Sequence, residues 1–451
     1  MKNKIDKSNL RFSNKYLAIL ILPLLGEQLL AVLIGMADSI MVASVGEAAI
    51  SGVSLIDSLS LLFIFLFSAF STGGAVVISQ YLGKKDNKNA KEAAKQLFFI
   101  SFLLGIVIAL IFIPLKKPLV HFIFGSIDKE IEIASLTYFN FVFLYFPFLG
   151  IYTSVSALFR SLGNSKISLK VSLLMNVLNV SFNALFIFVF KWGVFGAGLA
   201  TLISRIVAAL LMLFLISTKD TPLRLTKLYR IRLEWTMLKR IFKISVPNAI
   251  ENSVFQIGKI VVQSIVASLG LASIAANVVV GNLCTFGTLP GVAISLAAPT
   301  IIGQCLGAGE KDMARYYLKL LFKISLILIF SLSGLLILLM PFIIKLYSLS
   351  DLAYGIAYNT SFIVLVATAI LWTSSFALPN FLRAAGDVKF TLVCSLISMS
   401  MFRVGGAYLL TSVISLGLMG VWLAMIIDWV CRSTCFLLRA RSGKWADKKV
   451  I

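Results

Sequence analysis

The chain has 451 residues, of which 59% are hydrophobic and 13% charged, and 41 Lys and Arg against 19 Asp and Glu leave a net charge of +22. A soluble globular chain carries about 25% charged residues, so this one has too little polar sequence to coat its apolar surface in water, and lipid is the solvent it fits. The basic residues sit in short loops between long apolar runs, a pattern that serves membrane topology and anionic headgroups and excludes a nucleic-acid partner.

Crossing hydrocarbon takes about 20 apolar residues in a helix, and lipid requires every backbone polar group to be satisfied internally. Both rules predict an all-α membrane protein. Residues 1–15 form a polar, basic cytoplasmic tail with no cleaved signal peptide. Span 1 (16–43) holds Pro23, Glu27 and Asp38, and span 2 (52–80) holds Asp57 and ends at Gln80. Span 3 covers 96–115, and a loop carries His121, the one histidine, which excludes chemistry needing several. Span 4 covers 134–159. Span 5 (167–190) holds Asn176, Asn179 and Asn183, whose spacings of three and four put them on one helical face. Span 6 (195–216) holds Arg205, and the basic segment 217–240, with Pro222, reads as a cytoplasmic linker.

Span 7 (241–268) contains Glu251 and Lys259, span 8 covers 273–303, and span 9 (318–343) contains Lys323. Spans 10 (353–380) and 11 (390–412, with Arg403) lead to span 12 (417–438) and a cytoplasmic tail, 439–451. In span 12, Asp428 and Arg432 are four apart, acid first, which suits an ion pair within one helix. Cys284, Cys305, Cys394, Cys431 and Cys435 show no CxxC spacing and read as packing residues. The alternate loops and both tails carry 28 of the Lys and Arg, while the opposite loops hold only Lys116, Lys117, Lys129, Lys191 and Lys345. That asymmetry predicts both termini in the cytoplasm of a plasma-membrane protein.

The halves repeat. At an offset of 224, Pro23 falls on Pro247, Glu27 on Glu251, Gly46 on Gly270, Gln80 on Gln304 and Gly83 on Gly307. At 223, Arg160, Gly163, Asn164 and Lys166 face Arg383, Gly386, Asp387 and Lys389. Pro, Glu, Gln, Gly and Arg in register point to duplication, with residues 16–216 and 241–438 as two pseudo-symmetric six-helix bundles. Transporters place substrate and ion sites near the midplane between such repeats.

Charges inside a membrane are functional hypotheses by default. Asp38 is the first choice for a proton or sodium switch, because burial there makes a bare carboxylate costly. Asn176, Asn179 and Asn183 are candidate partners for the ion, and a sodium ion would be held by Asp38, Asn179 and Asn183. Glu27, Glu251 and Asp38 are candidates for attracting a cationic substrate. Each glutamate stands four residues after a proline, and its structural reading is an acid near a helix N-terminus meeting the dipole.

Six short segments occur in order along nearly the whole chain: Pro23-Leu24-Leu25-Gly26-Glu27-Gln28, Ala37-Asp38-Ser39-Ile40-Met41-Val42, residues 73–83 from Gly73-Gly74 to Leu82-Gly83, Phe159-Arg160-Ser161-Leu162-Gly163-Asn164, Gly303-Gln304-Cys305-Leu306-Gly307, and Leu382-Arg383-Ala384-Ala385-Gly386-Asp387. In these the chain resembles the multidrug and toxic compound extrusion (MATE) family. The resemblance implies two six-helix bundles around a central cleft, and efflux of amphipathic, often cationic, compounds driven by inward H⁺ or Na⁺. It also implies an ion-coupling role for Asp38. Some family members have an aspartate where this chain has Asn183, and this departure leaves sodium coordination or hydrogen bonding to Asp38 open. A span-7 glutamate contributes to the cation site in another branch, with a spacing from its proline that differs from that of Glu251.

The sequence reading is therefore an antiporter, not an enzyme: it contains no HExxH, no GxGD and no nucleotide-binding loop. No cofactor beyond the coupling ion is expected. The expected partners are a small organic substrate and membrane lipid, with the chain acting as a monomer. The alternative is a flippase for lipid-linked oligosaccharides, a related fold that calls for a basic, pyrophosphate-binding cleft.

Overall fold

A computed structural model describes residues 10–125, 127–226, 232–448 and 450–451. Lys2, Lys4 and Lys7 of the N-terminal tail, Lys227 and Arg230 of the linker and Lys449 of the C-terminal tail lie outside the described residues. Among the described residues the chain is helical throughout. In order the helices are α1 (Asn14–Ala43), α2 (Glu47–Gly83), α3 (Asn87–Phe112), α4 (Lys116–Phe124), α5 (Lys129–Ser161), α6 (Ser165–Val189), α7 (Gly193–Thr218), α8 (Trp235–Ser268), α9 (Leu271–Gly307), α10 (Lys311–Lys345), α11 (Asp351–Ala384), α12 (Val388–Val413) and α13 (Gly417–Ser442). A helix covers each of the twelve expected spans. Eleven of the described helices are long and apolar enough to cross a membrane, and α8, whose charges Lys239, Arg240, Lys243, Glu251 and Lys259 are spread along its length, is not among them. The extra element is α4: His121 lies in this short helix rather than in a loop, and its ring pairs with Glu132 at 3.0 Å.

The chain forms two compact units, residues 14–246 and residues 247–451, and the described residues before Asn14 belong to the second. The expected linker at 217–240 is not where the units divide. The division falls inside α8, at Pro247, whose ring removes a helical hydrogen bond. The first three turns of α8 pack with the N-terminal unit: Arg240 bonds to the Tyr81 hydroxyl, and the Phe242 ring meets Phe70 at 5.7 Å. Residues before Asn14 join the C-terminal unit, where the Phe12 backbone exchanges two 2.8 Å hydrogen bonds with the Tyr317 hydroxyl.

Within the N-terminal unit α5 packs against α2, α3 and α7, and α6 against α1 and α7. Its core is aromatic: Phe139 and Phe143 stack at 3.9 Å, and Phe63, Phe67, Phe112 and Phe146 surround them. Gly105 and Gly150 let α3 and α5 touch backbone to backbone, since a Cβ at either would overlap Pro147 or the Ser101 carbonyl. In the C-terminal unit α9 packs against α10 and α11, over a core of Val266, Val280, Leu283, Met340, Leu365 and Trp422. The two cores use different residues for the same helix order.

The repeated motifs explain themselves as helix ends. Gly163 and Gly386 take positive φ (79° and 90°), and each returns its N–H to the arginine three residues back at 2.8 Å. Asn164 and Asp387 close the same turn onto Phe159 and Leu382. Such a left-handed cap satisfies carbonyls the helix leaves open. Pro23 frees the Ile19 carbonyl in the same sense, and the Ser165 hydroxyl donates to Ile19 at 3.3 Å and Leu20 at 2.6 Å.

Gly150→Val is expected to destabilise the protein by about 1–3 kcal/mol through overpacking at Ser101. Gly334→Ala, which meets open space, is expected to leave stability unchanged or slightly raised. Thermal unfolding of the purified protein in detergent compares the two.

Candidate functional site

The N-terminal unit gathers its membrane-depth polar groups around Asp38. Asn176, Asn179 and Asn183 lie on one face of α6 and are all buried. A buried amide without a partner is costly, and α1 packs directly against this face. Asn183 Nδ2 donates to Asp38 Oδ1 at 2.8 Å. The Asn179 amide also turns its nitrogen to the carboxylate, 2.7 and 3.0 Å from Oδ1 and Oδ2, while its oxygen accepts from Thr201 Oγ1 at 3.3 Å. The opposite orientation would set amide oxygen against carboxylate oxygen. Asn183 Oδ1 is buried without a partner. Directly after Asn183 the helix widens into a π-helical turn, Ala184–Val189, a distortion common at functional sites.

The third asparagine does not reach Asp38. Asn176 Nδ2 turns to Ser172 Oγ, one helical turn back, at 3.4 Å. Ser172 lies against the Tyr152 hydroxyl, which donates to Glu27 Oε1 at 3.4 Å, and the Arg160 guanidinium faces the same carboxylate. Asn176 thus belongs with Glu27. On the other flank of Asp38, Arg205 and Asp57 share its electrostatic environment, Tyr138 faces Asp57, and the Arg205 guanidinium lies 5.0 Å from the Tyr145 ring. Thr201, Tyr138 and Tyr145 were not singled out by sequence. For Thr201 the signal was available, since it precedes Arg205 by one turn of α7.

The C-terminal unit is built differently. Glu251 is buried and held by Arg383 at 2.6 Å and Ser395 at 2.6 Å, with Arg432 at 3.8 Å. Asn248 accepts a second bond from Arg383 at 3.1 Å. Glu27 with Arg160 and Glu251 with Arg383 are therefore repeat-related, the second as a direct ion pair and the first through the electrostatic influence of Arg160. The expected Asp428–Arg432 ion pair does not form. Asp428 pairs across helices with Arg403 at 3.4 Å and accepts from the Ser398 hydroxyl. Arg432 instead reaches Glu251, and its Nε donates to the Ser375 carbonyl at 3.2 Å. The reason is backbone geometry. Residues Thr373–Ala377 and Met399–Gly405 are π-helical turns. The first leaves the Ser375 carbonyl open to Arg432, and the second carries Arg403 beside Asp428. The guanidinium of Arg432 also lies 4.6 Å from both Phe255 and Phe376. At the position of Asp38 the second repeat has Val262, and at Asp57 it has Gly281. The carboxylate–amide cluster is thus confined to one half.

The sequence model of the MatE family matches residues 23–185 and again 247–409, two segments whose starts lie 224 residues apart. Among curated relatives, the chain is 28% identical over 461 residues to the "Probable multidrug resistance protein NorM" of Thermotoga maritima, with 100% of this chain and 97% of that protein covered. It is 27% identical to the "Uncharacterized transporter YisQ" of Bacillus subtilis, over 99% of this chain and 97% of that protein. The multidrug export protein MepA of Staphylococcus saprophyticus is 26% identical over 64% of this chain and 62% of its own length. Among solved structures, a MOP superfamily transporter from Pyrococcus furiosus superposes with a TM-score of 0.89 at 20% identity, covering 96% of this chain and 97% of that one. An outward-facing multidrug resistance MATE family transporter gives 0.89 at 20% identity, over 95% and 96%. These matches share the fold described above.

Glu251→Gln leaves Arg383 and Arg432 buried without their shared counter-charge, and removing one partner of a buried pair costs about 3–5 kcal/mol. A clear fall in the detergent melting temperature is expected for this variant, with part of the loss recovered on adding Arg383→Met. The two melting curves against that of the unmodified protein check it.

Proposed function

The chain belongs to the MatE family of multi-pass membrane transporters, and on that premise we propose that it exports amphipathic organic compounds by ion-coupled antiport, with Asp38 as the coupling residue. The observation that carries the reading is the Asp38 carboxylate, to which Asn179 and Asn183 each direct an amide nitrogen. This arrangement suits an ionised carboxylate, which only accepts hydrogen bonds. A proton arriving at Asp38 needs an acceptor for its O–H. A half-turn of the Asn183 side chain offers Oδ1, the atom that has no partner when the amide nitrogen faces Asp38. Sodium needs both amides to turn: with the Asn179 and Asn183 side chains reversed, Asp38, Asn179 and Asn183 present oxygens, the hard donors such a cation takes. H⁺ and Na⁺ compete for one carboxylate in this scheme, and neither is favoured by the donor set alone.

Exchange follows from electrostatics. Asp38, Asp57 and Arg205 lie in one electrostatic cluster, which is net negative when both acids are ionised. Binding H⁺ or Na⁺ neutralises Asp38, loosens its hold on α6, and lets the α1–α6 contact rearrange. Rearrangement of that contact would accompany alternating access, with inward flow of the ion driving outward flow of cargo. Nothing in this scheme needs a cofactor, and the chain is taken to act as a monomer in the plasma membrane with both termini cytoplasmic. Glu27 and Glu251 act in this reading as anchors for the arginines at the repeated helix ends. The relatives bearing multidrug names, NorM of T. maritima and MepA of S. saprophyticus, support the export direction and the organic cargo. The flippase reading is not favoured.

Asp38→Asn is expected to insert and fold normally and to lose gradient-driven transport. The assay is uptake of a fluorescent organic dye into liposomes under a proton gradient and, separately, a sodium gradient. Full activity of the variant removes Asp38 from the mechanism, and uptake by the unmodified protein under neither gradient overturns antiport.

A further inference from the structure

The transmembrane cations of the C-terminal unit outnumber its acids. Lys259, Lys323, Arg383, Arg403 and Arg432 stand against Glu251 and Asp428, with Lys323 near one end of its span. Both carboxylates are already engaged, Glu251 by Arg383 and Arg432, Asp428 by Arg403. Lys259 makes no hydrogen bond or ion pair with any described residue, and it is exposed. It sits on α8 about nine residues before the helix ends at Ser268, and at 1.5 Å per residue that is roughly 13 Å along the axis.

An ammonium facing hydrocarbon at that depth is costly, so its surroundings matter. Asn252, Gln256, Lys259 and Gln263 follow at spacings of four, three and four, which is one face of a helix. Their polarity fits water, not lipid. Behind the stripe, Gly258 lets α8 approach Met399 of α12, because a Cβ there would overlap the Met399 side chain. This contact brings Arg403, one turn beyond Met399, to 5.6 Å from the Phe255 ring, itself one turn before Lys259. Among the described residues, the charged or ionisable groups that act electrostatically on Lys259 are Arg403 and the Cys284 thiol, with no carboxylate among them. Deeper still, Arg432 is fully buried and its Nη1 has no partner. The repeat position of Lys259 in the other half is Gly35.

We propose that the exposed polar face of α8, centred on Lys259 and backed by Arg403, binds the acidic group of an aromatic or amphipathic organic cargo: a carboxylate, sulfonate or phosphate. A charged group with no counter-ion at membrane depth is the complement of an anion. Phe255 supplies an aromatic ring one turn away for the apolar part. This inference rests on the export reading for its physiological sense and adds the substrate class, organic anions or zwitterions, to it.

The test uses the full chain in nanodiscs of zwitterionic lipid and two dyes with one ring system, fluorescein as the anion and rhodamine 123 as the cation. Fluorescence anisotropy gives each affinity. Lys259→Gln is expected to weaken fluorescein binding at least tenfold and to leave or improve rhodamine 123 binding, which also reports that the variant is folded. Lys259→Arg is expected to stay within about threefold of the unmodified protein. No fluorescein binding by the unmodified protein, or unchanged fluorescein affinity in Lys259→Gln, overturns the proposal. Liposome transport of the two dyes reads the export function separately. Lys259-dependent binding with no transport of either dye keeps the anion site and sinks export, whereas rhodamine 123 transport with Lys259-independent fluorescein binding does the reverse.

Discussion

Hydrocarbon offers neither a hydrogen-bond partner nor a counter-charge, and each polar group at that depth takes one from the protein or from enclosed water. The long helices answer this for the backbone. Where the ladder is interrupted, a neighbouring side chain repairs it. The carbonyl freed by Pro23 takes the Ser165 hydroxyl, and the carbonyl opened by the π-helical turn at Ser375 takes Arg432. Side-chain charges follow the same rule. Glu251, Arg383, Arg403, Asp428 and Arg432 pair with one another across three helices and a helix end, so that a unit rich in buried ions is still a packed unit.

The repeat is therefore conserved in its supports and divergent in its sites. Both halves keep the proline four residues before a glutamate, the arginine that faces that glutamate, and the left-handed glycine that ends the arginine's helix. These groups fix helix ends and cost stability when lost. The cores and polar faces have drifted apart. The first half carries Asp38, Asp57 and two amides on one carboxylate; the second carries Lys259 and three arginines around two acids. A duplicated scaffold can in this way carry an acidic face in one half and a basic face in the other.

Asp38 and Lys259 show why unequal halves matter. Each is a charge at membrane depth, and each lacks the arginine or carboxylate partner that its neighbours have found directly. Asp38 is held by amides, which can reverse their polarity by turning over; Lys259 makes no hydrogen bond or ion pair with any described residue. The first arrangement suits a small ion that comes and goes, the second a ligand that brings its own negative charge.

Much of this was legible in the residues. Twelve helical segments, the duplication, and the candidacy of Asp38 with Asn179 and Asn183 follow from local rules: the length of an apolar run, residues repeating in register, an acid inside a span, a spacing of three or four. What the sequence left open was decided by contact between helices distant in the chain. Nothing local sends Asn176 to Ser172 and its two neighbours to Asp38, or turns Asp428 from Arg432, four residues away, to Arg403 on another helix. Those choices depend on how π-helical turns rotate one segment against the next and on where glycines let backbones meet. The residue types determined which charges had to be buried; only the packed tertiary structure decided which partner would be within reach, because an ion pair is fixed by ångströms and a sequence pattern by turns.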